Sequence, residues 1–157
     1  MFRLMKQILF SFLILMSLPG IAQSAFDKMT NLKMEKIIVR EADKVDGERG
    51  NWQISYGDRQ VFIITDENAN RMRIMTPIIE EKDINEEIMK IMLEANFDKA
   101  LDPKYSIYKG VVWSAFTHPL SELTVEQFKD ALKQVVRLAD NFGGSFTSTD
   151  FVFGGDN

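Results

Sequence analysis

The sequence predicts one α+β domain in which helices pack on one face of an antiparallel sheet. With 157 residues, of which 45% are hydrophobic and 27% are charged, the chain can bury one core but not two. Short apolar runs separated by brief turns are typical of an antiparallel meander. Helical patterns surround these runs in the order α-β-β-β-α-β-β-α, which indicates a five-stranded sheet with helices on one face.

A secretory signal peptide is predicted over residues 1–24. Arg3 and Lys6 precede an uncharged apolar run, residues 8–18, and small residues follow at the spacing that a signal peptidase needs. The run is shorter than the roughly 20 residues that span a bilayer, so a membrane anchor is the weaker alternative. Cleavage is expected after Ser24, and the location is expected to be the periplasm of a Gram-negative host or, otherwise, the extracellular space.

The mature part is expected to be a single domain over residues 25–154, followed by a flexible tail, 155–157. Loss of Arg3 and Lys6 reduces 19 basic residues to 17 against 23 acidic ones, a net charge of −6. This charge disfavours nucleic acid and anionic membrane surfaces as partners. The chain has no cysteine, which excludes disulfides, thiolate metal sites and a cysteine nucleophile, and we predict no cofactor.

The first helix is predicted over residues 30–45. Its apolar positions recur at helical spacing, at Met34, Ile38, Ala42 and Val45. The run Ile37-Ile38-Val39 fits a strand as an alternative. A break is expected after this helix, where Gly47 and Gly50 follow.

Three strands are predicted next, over residues 52–56, 60–65 and 71–76, with the third ending before Pro77. Residues 66–70, between the second and the third, resemble the start of a calcium-binding loop. The match fails because Arg71 stands where that loop needs glycine, and Pro77 stands where it needs glutamate. We therefore predict a strand-connecting turn, in which an asparagine tolerates the left-handed conformation.

One helix and one hairpin follow the meander. The helix is predicted over residues 84–97, with Asp83 as its N-cap and Glu86 completing a capping-box-like start. The two strands of the hairpin are predicted over residues 105–108 and 111–116. The two-residue link between them is Lys109-Gly110.

The last helix has the clearest sequence signals. Thr124 is its predicted N-cap, Gln127 is the capping-box partner, and Gly143-Gly144 ends it. An apolar stripe runs along it, formed by Val125, Phe128, Ala131, Leu132, Val135, Leu138, Ala139 and Phe142. Beyond the glycines, residues 151–153 are apolar and could dock as a short edge strand.

His118 is the only histidine, and it lies in a Thr-His-Pro corner between the last predicted strand and the last helix. Histidine often acts as a general acid or base. A catalytic triad also needs a nucleophile and an orienting group, and no G-x-S-x-G elbow is present. One histidine without cysteine fits a zinc site poorly. A structural corner is the favoured interpretation, and we predict neither a catalytic residue nor a metal site.

Arg71 and Arg73 share one face of their predicted strand. Two guanidinium groups about 7 Å apart can hold a carboxylate or a phosphate. The alternative is an exposed face whose cations pair with nearby acids. Aromatic strand residues such as Trp52 either pack in the core or, where they point outward, offer a surface to a partner. The candidate binding residues are Arg71, Arg73, Trp52 and His118.

Five blocks of this sequence resemble the YbjN-like group, which is described as bacterial sensory transduction regulators. The blocks are GNWQISY (50–56), ITDENANRMRIMTPI (64–78), MLEANFDKALDPKYSI (92–107), AFTHPLSELT (115–124) and QVVRLADNFGGSF (134–146). The resemblance covers residues 32–154 and implies a type III secretion chaperone-like fold, a protein or peptide partner and a homodimer. It offers no catalytic residue. Chaperones of that shape are cytoplasmic, whereas this chain begins with a predicted signal peptide, so the fold can be shared without the task.

We therefore expect an exported, non-enzymatic protein that binds a protein or peptide through sheet or helix surfaces. The alternative is a small-molecule-binding or hydrolytic protein, with its site where the corner at residues 117–119 meets the strand of Arg71 and Arg73. A deep pocket in which His118 is hydrogen-bonded to an acid would favour this alternative. A flat or filled surface there would disfavour it.

Overall fold

The secondary structure of residues 28–151 is described by a computed structural model. The helices of this part of the chain are α1 (Asn31–Glu41), α2 (Glu86–Asp98) and α3 (Val125–Asp140). Its strands are β1 (Lys44–Glu48), β2 (Asn51–Tyr56), β3 (Arg59–Asp66), β4 (Arg71–Glu80), β5 (Lys104–Tyr108) and β6 (Val111–His118). A 3₁₀ turn, Glu81–Asp83, precedes α2. The predicted signal peptide and residues 152–157 lie outside the described residues.

The six described strands form one antiparallel sheet in the order β1-β2-β3-β4-β6-β5. Tight turns connect successive strands on both sides, whereas β4 and β6 pair in the centre although α2 and β5 lie between them in the sequence. The apolar sides of the helices pack against one face of this sheet, and no described helix covers the other face. The predicted α+β class, with helices on one face of an antiparallel sheet, is confirmed.

The strand β1 was not predicted, and the predicted first helix is four residues too long. The helix α1 ends at Glu41, because Ala42 adopts an extended conformation with ψ 147°. Val45 then pairs with Ile54 of β2, so its side chain reaches the core from a strand rather than from a helix. Gly47, at φ +97°, lets β1 approach Trp52 closely.

The strand β4 continues past Pro77, which was predicted to follow its end. Pairing with β3 stops at Met75, and from there β4 pairs with β6 alone up to Glu80. The register shifts between Pro77 and Ile79. A proline is tolerated in a strand at such an irregularity, because its missing N–H costs no ladder hydrogen bond there.

Two predicted signals at helix and hairpin ends are confirmed, a third is wrong, and α3 ends at Asp140, before the predicted Gly143-Gly144. Thr124 Oγ1 accepts from the Gln127 N–H at 3.1 Å, and Gln127 Oε1 accepts from the Thr124 N–H at 2.9 Å, which is a complete capping box. The hairpin link Lys109-Gly110 has positive φ at both residues, as a two-residue hairpin turn requires. The third signal was wrong: Asn85, not Asp83, is the N-cap of α2, and its side chain accepts from the Ile88 N–H.

Two clusters of buried side chains lie between the sheet and the helices. The first joins α1, the strands β2 to β4 and the first half of α3, around Trp52 and Phe128. The second joins α2, β5 and β6 to the end of α3, around Tyr105 and Phe146. The helix α3 contributes to both clusters and therefore holds the two halves of the sheet together. Phe151 is exposed and lies in no strand, while the rest of the predicted edge strand falls outside the described residues.

Candidate functional site

The sheet face opposite the helices, here called the open face, is the candidate functional site. Successive residues of a strand point to opposite faces, so burial and register show which side chains lie there. In β4, Met72, Ile74 and Thr76 are buried beneath the helices, which places the residues between them on the open face. The open-face residues of β3, β4 and β6 include Phe62, Ile64, Arg71, Arg73, Met75, Trp113, Ala115 and Thr117.

A group of large apolar side chains occupies the middle of the open face. We call Phe62, Ile64, Met75 and Trp113 the open-face patch. Phe62 lies directly opposite Met75, and its ring meets the Trp113 ring edge-on at a centroid distance of 6.0 Å, across the intervening β4. Ile64 is 42% exposed. Contiguous apolar surface of this kind marks contact sites on soluble proteins more often than isolated apolar residues do.

Arg71 and Arg73 lie beside this patch, and both are exposed. Arg73 is directly opposite Ile64, and its Nε donates to Thr117 Oγ1 at 3.1 Å. The Nη1 of Arg71 donates to the carbonyl oxygen of Asn70 at 2.8 Å. Neither arginine forms an ion pair with a carboxylate of the described chain, so the cations are not paired as the alternative interpretation expected. Both line a shallow depression of about 400 Å³.

His118 lies on the opposite side of the sheet from the two arginines. It ends β6 opposite the buried Met72, is half-buried, and stacks on Phe116 with ring centroids 5.8 Å apart. Its Nδ1 is 2.7 Å from the carbonyl oxygen of Pro119, so Nδ1 carries the proton in that hydrogen bond. No described carboxylate is hydrogen-bonded to His118. The structure therefore does not bring His118 together with Arg71 and Arg73 in one pocket.

The corner that follows His118 is tied to the turn between β3 and β4 by Asn70. The Asn70 side chain accepts from the Ser121 N–H at 2.7 Å and donates to Glu122 at 2.9 Å. This hydrogen bond from Asn70 is the main cause that lowers the pKa of Glu122 below its usual value. Asn70 has φ +51°, which agrees with the predicted turn containing a left-handed asparagine. Asn70 thus attaches the segment that follows β6 to the turn between β3 and β4.

Trp52 is placed in the core. Its side chain is 2% exposed, points toward the helices and lies opposite Ile63 of β3. This position matches core packing, the first of the two alternatives for strand aromatic residues. Of the four candidate binding residues, the structure brings only Arg71 and Arg73 together on one accessible surface.

A second accessible apolar surface lies on α2. The predicted apolar side of this helix is turned toward the second cluster, but Leu93 is 70% exposed and Phe97 is 86% exposed. With the partly buried Met89 they form what we call the α2 stripe. The signal for it was present in the sequence, because Met89, Leu93 and Phe97 are spaced by four residues beside the buried side of the same helix. The neighbouring edge strand β5 exposes Ile107 and Tyr108.

The described residues contain no group of three or more histidine, cysteine, aspartate or glutamate side chains that could hold a metal ion. None of the helices between residues 28 and 151 is both long enough and apolar enough to cross a membrane. The open face offers apolar side chains, two arginines and the Thr117 hydroxyl group, and Asp66 lines the same depression as the arginines.

Similar folds are found among solved structures, although no protein-family model and no curated protein matches the sequence. One chain of the HopA1-SchA chaperone-effector complex has a TM-score of 0.55 and 13% identity, over 71% of this chain and 94% of that one. One chain of the ExsC-ExsE complex has a TM-score of 0.54 and 14% identity, over 70% and 87%. The protein therefore has a type III secretion chaperone-like fold. At this level of identity the similarity shows the fold alone.

Proposed function

We propose that this protein is a non-enzymatic, exported binding module that holds a segment of a partner protein on the open face of its sheet. The observation that carries the proposal is the open-face patch, since large apolar side chains stay accessible on a face that no described helix covers. A similar fold occurs in a chaperone-effector complex, which supports a protein as the ligand. Membership of the YbjN-like group, which rests on the five sequence blocks, is part of the same proposal.

The binding proposal is tested by photo-crosslinking in the native host. A photo-reactive amino acid replaces Ile64, which lies in the open-face patch, or Lys133, which is exposed on α3. We expect a discrete crosslinked protein from position 64 and none from position 133. Crosslinks of equal yield and identity from both positions, or none from position 64, would contradict the proposal. A glutamate at Met75 should abolish the specific crosslink, because a charge then enters the patch.

The homodimer expected from the resemblance finds support in the α2 stripe. Its three residues are evenly spaced about Leu93, so an antiparallel second copy of α2 would place Leu93 against its own equivalent and Met89 against Phe97. Such a self-complementary surface is what a two-fold axis requires. Ile107 of the neighbouring β5 pairs with the buried Val112, so it lies on the same side of the sheet as α2, where it is 38% exposed.

Dimerisation is tested by sedimentation of the purified protein. Leu93→Glu should convert the dimer to a folded monomer, because Leu93 is exposed in one copy and its replacement leaves the core intact. Val39→Glu is the matched control, since Val39 is 62% exposed on α1 and lies outside the α2 stripe. A wild-type protein that sediments as a monomer over the whole concentration range, or a Leu93→Glu variant that remains dimeric, would refute this part.

Export is proposed from the apolar run and the basic residues before it, which lie outside the described residues. Fractionation of cells that express the full chain should place the protein outside the cytoplasm. Its mass should correspond to a chain that begins at Ala25. A protein of full length that stays in the cytoplasm would overturn this element and leave the binding proposal intact.

A further inference from the structure

We infer that Arg71 and Arg73 select partner segments in which a carboxylate lies close to a large apolar side chain. This inference rests on the proposed function, because it names the chemistry of the segment that the open face would hold. The arginines would bind the carboxylate, and the open-face patch would bind the apolar side chain.

The two arginines form no ion pair with a carboxylate of residues 28–151. Elsewhere in the described chain, Arg49 pairs with Glu35, Arg59 with Asp140 and Arg137 with Asp150. Asp66 stands opposite Arg71 in the register, but one of its carboxylate oxygens accepts from the Ala69 N–H in the turn. Two adjacent cations therefore stay available on a protein whose formal net charge is −4.

Both guanidinium groups are already held in position by hydrogen bonds within the protein. Arg73 is held by Thr117 through Nε, which leaves its two terminal nitrogens free to donate to a carboxylate. Arg71 is held through Nη1 by the Asn70 carbonyl group. A guanidinium group that is oriented before binding loses less conformational freedom when the ligand arrives. A carboxylate can accept two parallel hydrogen bonds from one such group.

The arginine charges lie a short distance from the open-face patch. Ile64 lies directly opposite Arg73, and the pair Phe62 and Met75 lies two residues further along the same strands. That separation is about 7 Å, which equals the spacing of alternate residues in an extended chain. An extended segment with an acidic residue two positions from an aromatic or aliphatic one would place both side chains on the sheet at once.

Selection from a random peptide library displayed on phage tests the inference on the purified protein. Wild type should enrich an acidic residue two positions from a large apolar one. Arg71→Gln combined with Arg73→Gln should enrich the apolar residue without the acidic one. The control combines Arg40→Gln with Lys133→Gln, which removes two exposed charges elsewhere and should keep the wild-type preference.

One selected peptide is then compared with the same peptide carrying glutamine in place of its acidic residue. The difference in affinity measures the interaction between the arginines and the carboxylate. The acidic peptide should bind wild type about tenfold more tightly than the glutamine peptide, and the arginine double variant should bind both equally. Equal binding of the two peptides by wild type would overturn the inference alone. Failure to enrich any peptide would overturn the proposed function as well. Binding of inorganic phosphate at the arginines, with no preference for acidic peptides, would also overturn the inference.

Discussion

The two edges of the sheet are closed in different ways. The edge strand β1 carries Lys44, Asp46 and Glu48, and every residue of it except Val45 is exposed. Charged side chains on an edge strand disfavour pairing with another chain. The edge strand β5 instead has a neighbour, α2, whose Asn96 side chain accepts from the Tyr105 N–H at 2.7 Å and donates to the Tyr105 carbonyl group at 3.0 Å.

The two edges also differ in the apolar surface that lies near them. Asn96 satisfies the backbone of one residue of β5, but beyond it Ile107 stays exposed on the helix side of the sheet and Tyr108 stays exposed on the open face. On α1, near the other edge, Leu32 and Val39 are also exposed, yet Lys36 lies between them on the helix surface. Charged side chains therefore protect the β1 edge, whereas apolar side chains stay exposed at the β5 edge and on α2.

The largest effect is expected from a change that disrupts the β1 edge. Gly47→Ala should lower the free energy of unfolding by about 3 kcal/mol, because its Cβ would clash with the Asn51 carbonyl oxygen at a positive φ. Gly57→Ala is the control: φ is also positive there, but the space is open, and the cost should be about 1 kcal/mol. Urea unfolding measures both. Equal losses would show that close packing of β1 on β2 is unimportant.

Asn96→Ala should open the β5 edge and lower the free energy of unfolding by about 2 kcal/mol, since two hydrogen bonds to a partly buried backbone are lost. Hydrogen exchange should become faster at the Tyr105 amide. Asn68→Ala, in the exposed turn between β3 and β4, should change neither quantity. Retained protection at Tyr105 would mean that the edge is closed by something other than this side chain.

Tyr105→Phe tests the attachment of the β5 edge to α3. The Tyr105 hydroxyl group donates to the Leu138 carbonyl oxygen at 2.8 Å, and its loss should cost about 1 kcal/mol. Burial raises the pKa of Tyr105 above its usual value of 10.0. The folded state thus holds this proton more tightly than the unfolded state does, and the stabilisation is complete below pH 10 and lost as the pH rises further.

The variant should therefore lose less stability than wild type between neutral pH and pH values above 10. The unfolding free energy of the variant should still fall with pH in this range, because burial and the nearby Glu41 and Asp43 also raise the pKa of Tyr56. Guanidinium unfolding at several pH values gives the dependence of the unfolding free energy on pH for wild type and for Tyr105→Phe. The same pH dependence in both proteins would argue against titration of Tyr105 in this range.

The smallest effect on stability is expected at the charges of β1. Lys44 and Asp46 form an exposed ion pair, so replacing Lys44, Asp46 and Glu48 with threonine should change the unfolding free energy by less than about 0.5 kcal/mol. Aggregation on storage, followed by light scattering, should nevertheless increase. The control removes the same charges elsewhere, as Lys133→Gln, Glu126→Gln and Asp58→Asn, and should stay soluble. Equal solubility of the two variants would contradict a protective role for the charged edge.

Features that depend on neighbouring residues could be predicted from the sequence. The capping box of Thr124 and Gln127 and the turn at Lys109-Gly110 are local, so the sequence alone identifies them. The common face of Arg71 and Arg73 follows from strand alternation in the same way. The strand β1 could not be predicted, because its charged sequence becomes a strand only by pairing with β2.

The site was harder to predict, because it depends on pairing between distant strands. The strand register alone places Arg73 beside Thr117 and the adjacent His118 on the opposite face. The N-cap of α2 illustrates a smaller ambiguity, since Asp83 and Asn85 are both good caps and only the 3₁₀ turn before the helix decides between them. The sequence therefore indicates the elements, and long-range pairing decides which side chains share a surface.

The central pairing of β4 with β6 also has a consequence for the order of folding. Met72 cannot meet His118, and Phe128 cannot fill the first cluster, until almost the entire described chain is present. Contacts between such distant parts of a chain form slowly, because the loop between them must first be closed. We expect the first cluster to remain incomplete during synthesis, because it needs residues of α3. A nascent chain of this kind would leave the apolar residues of the first cluster accessible to solvent until α3 has been synthesised.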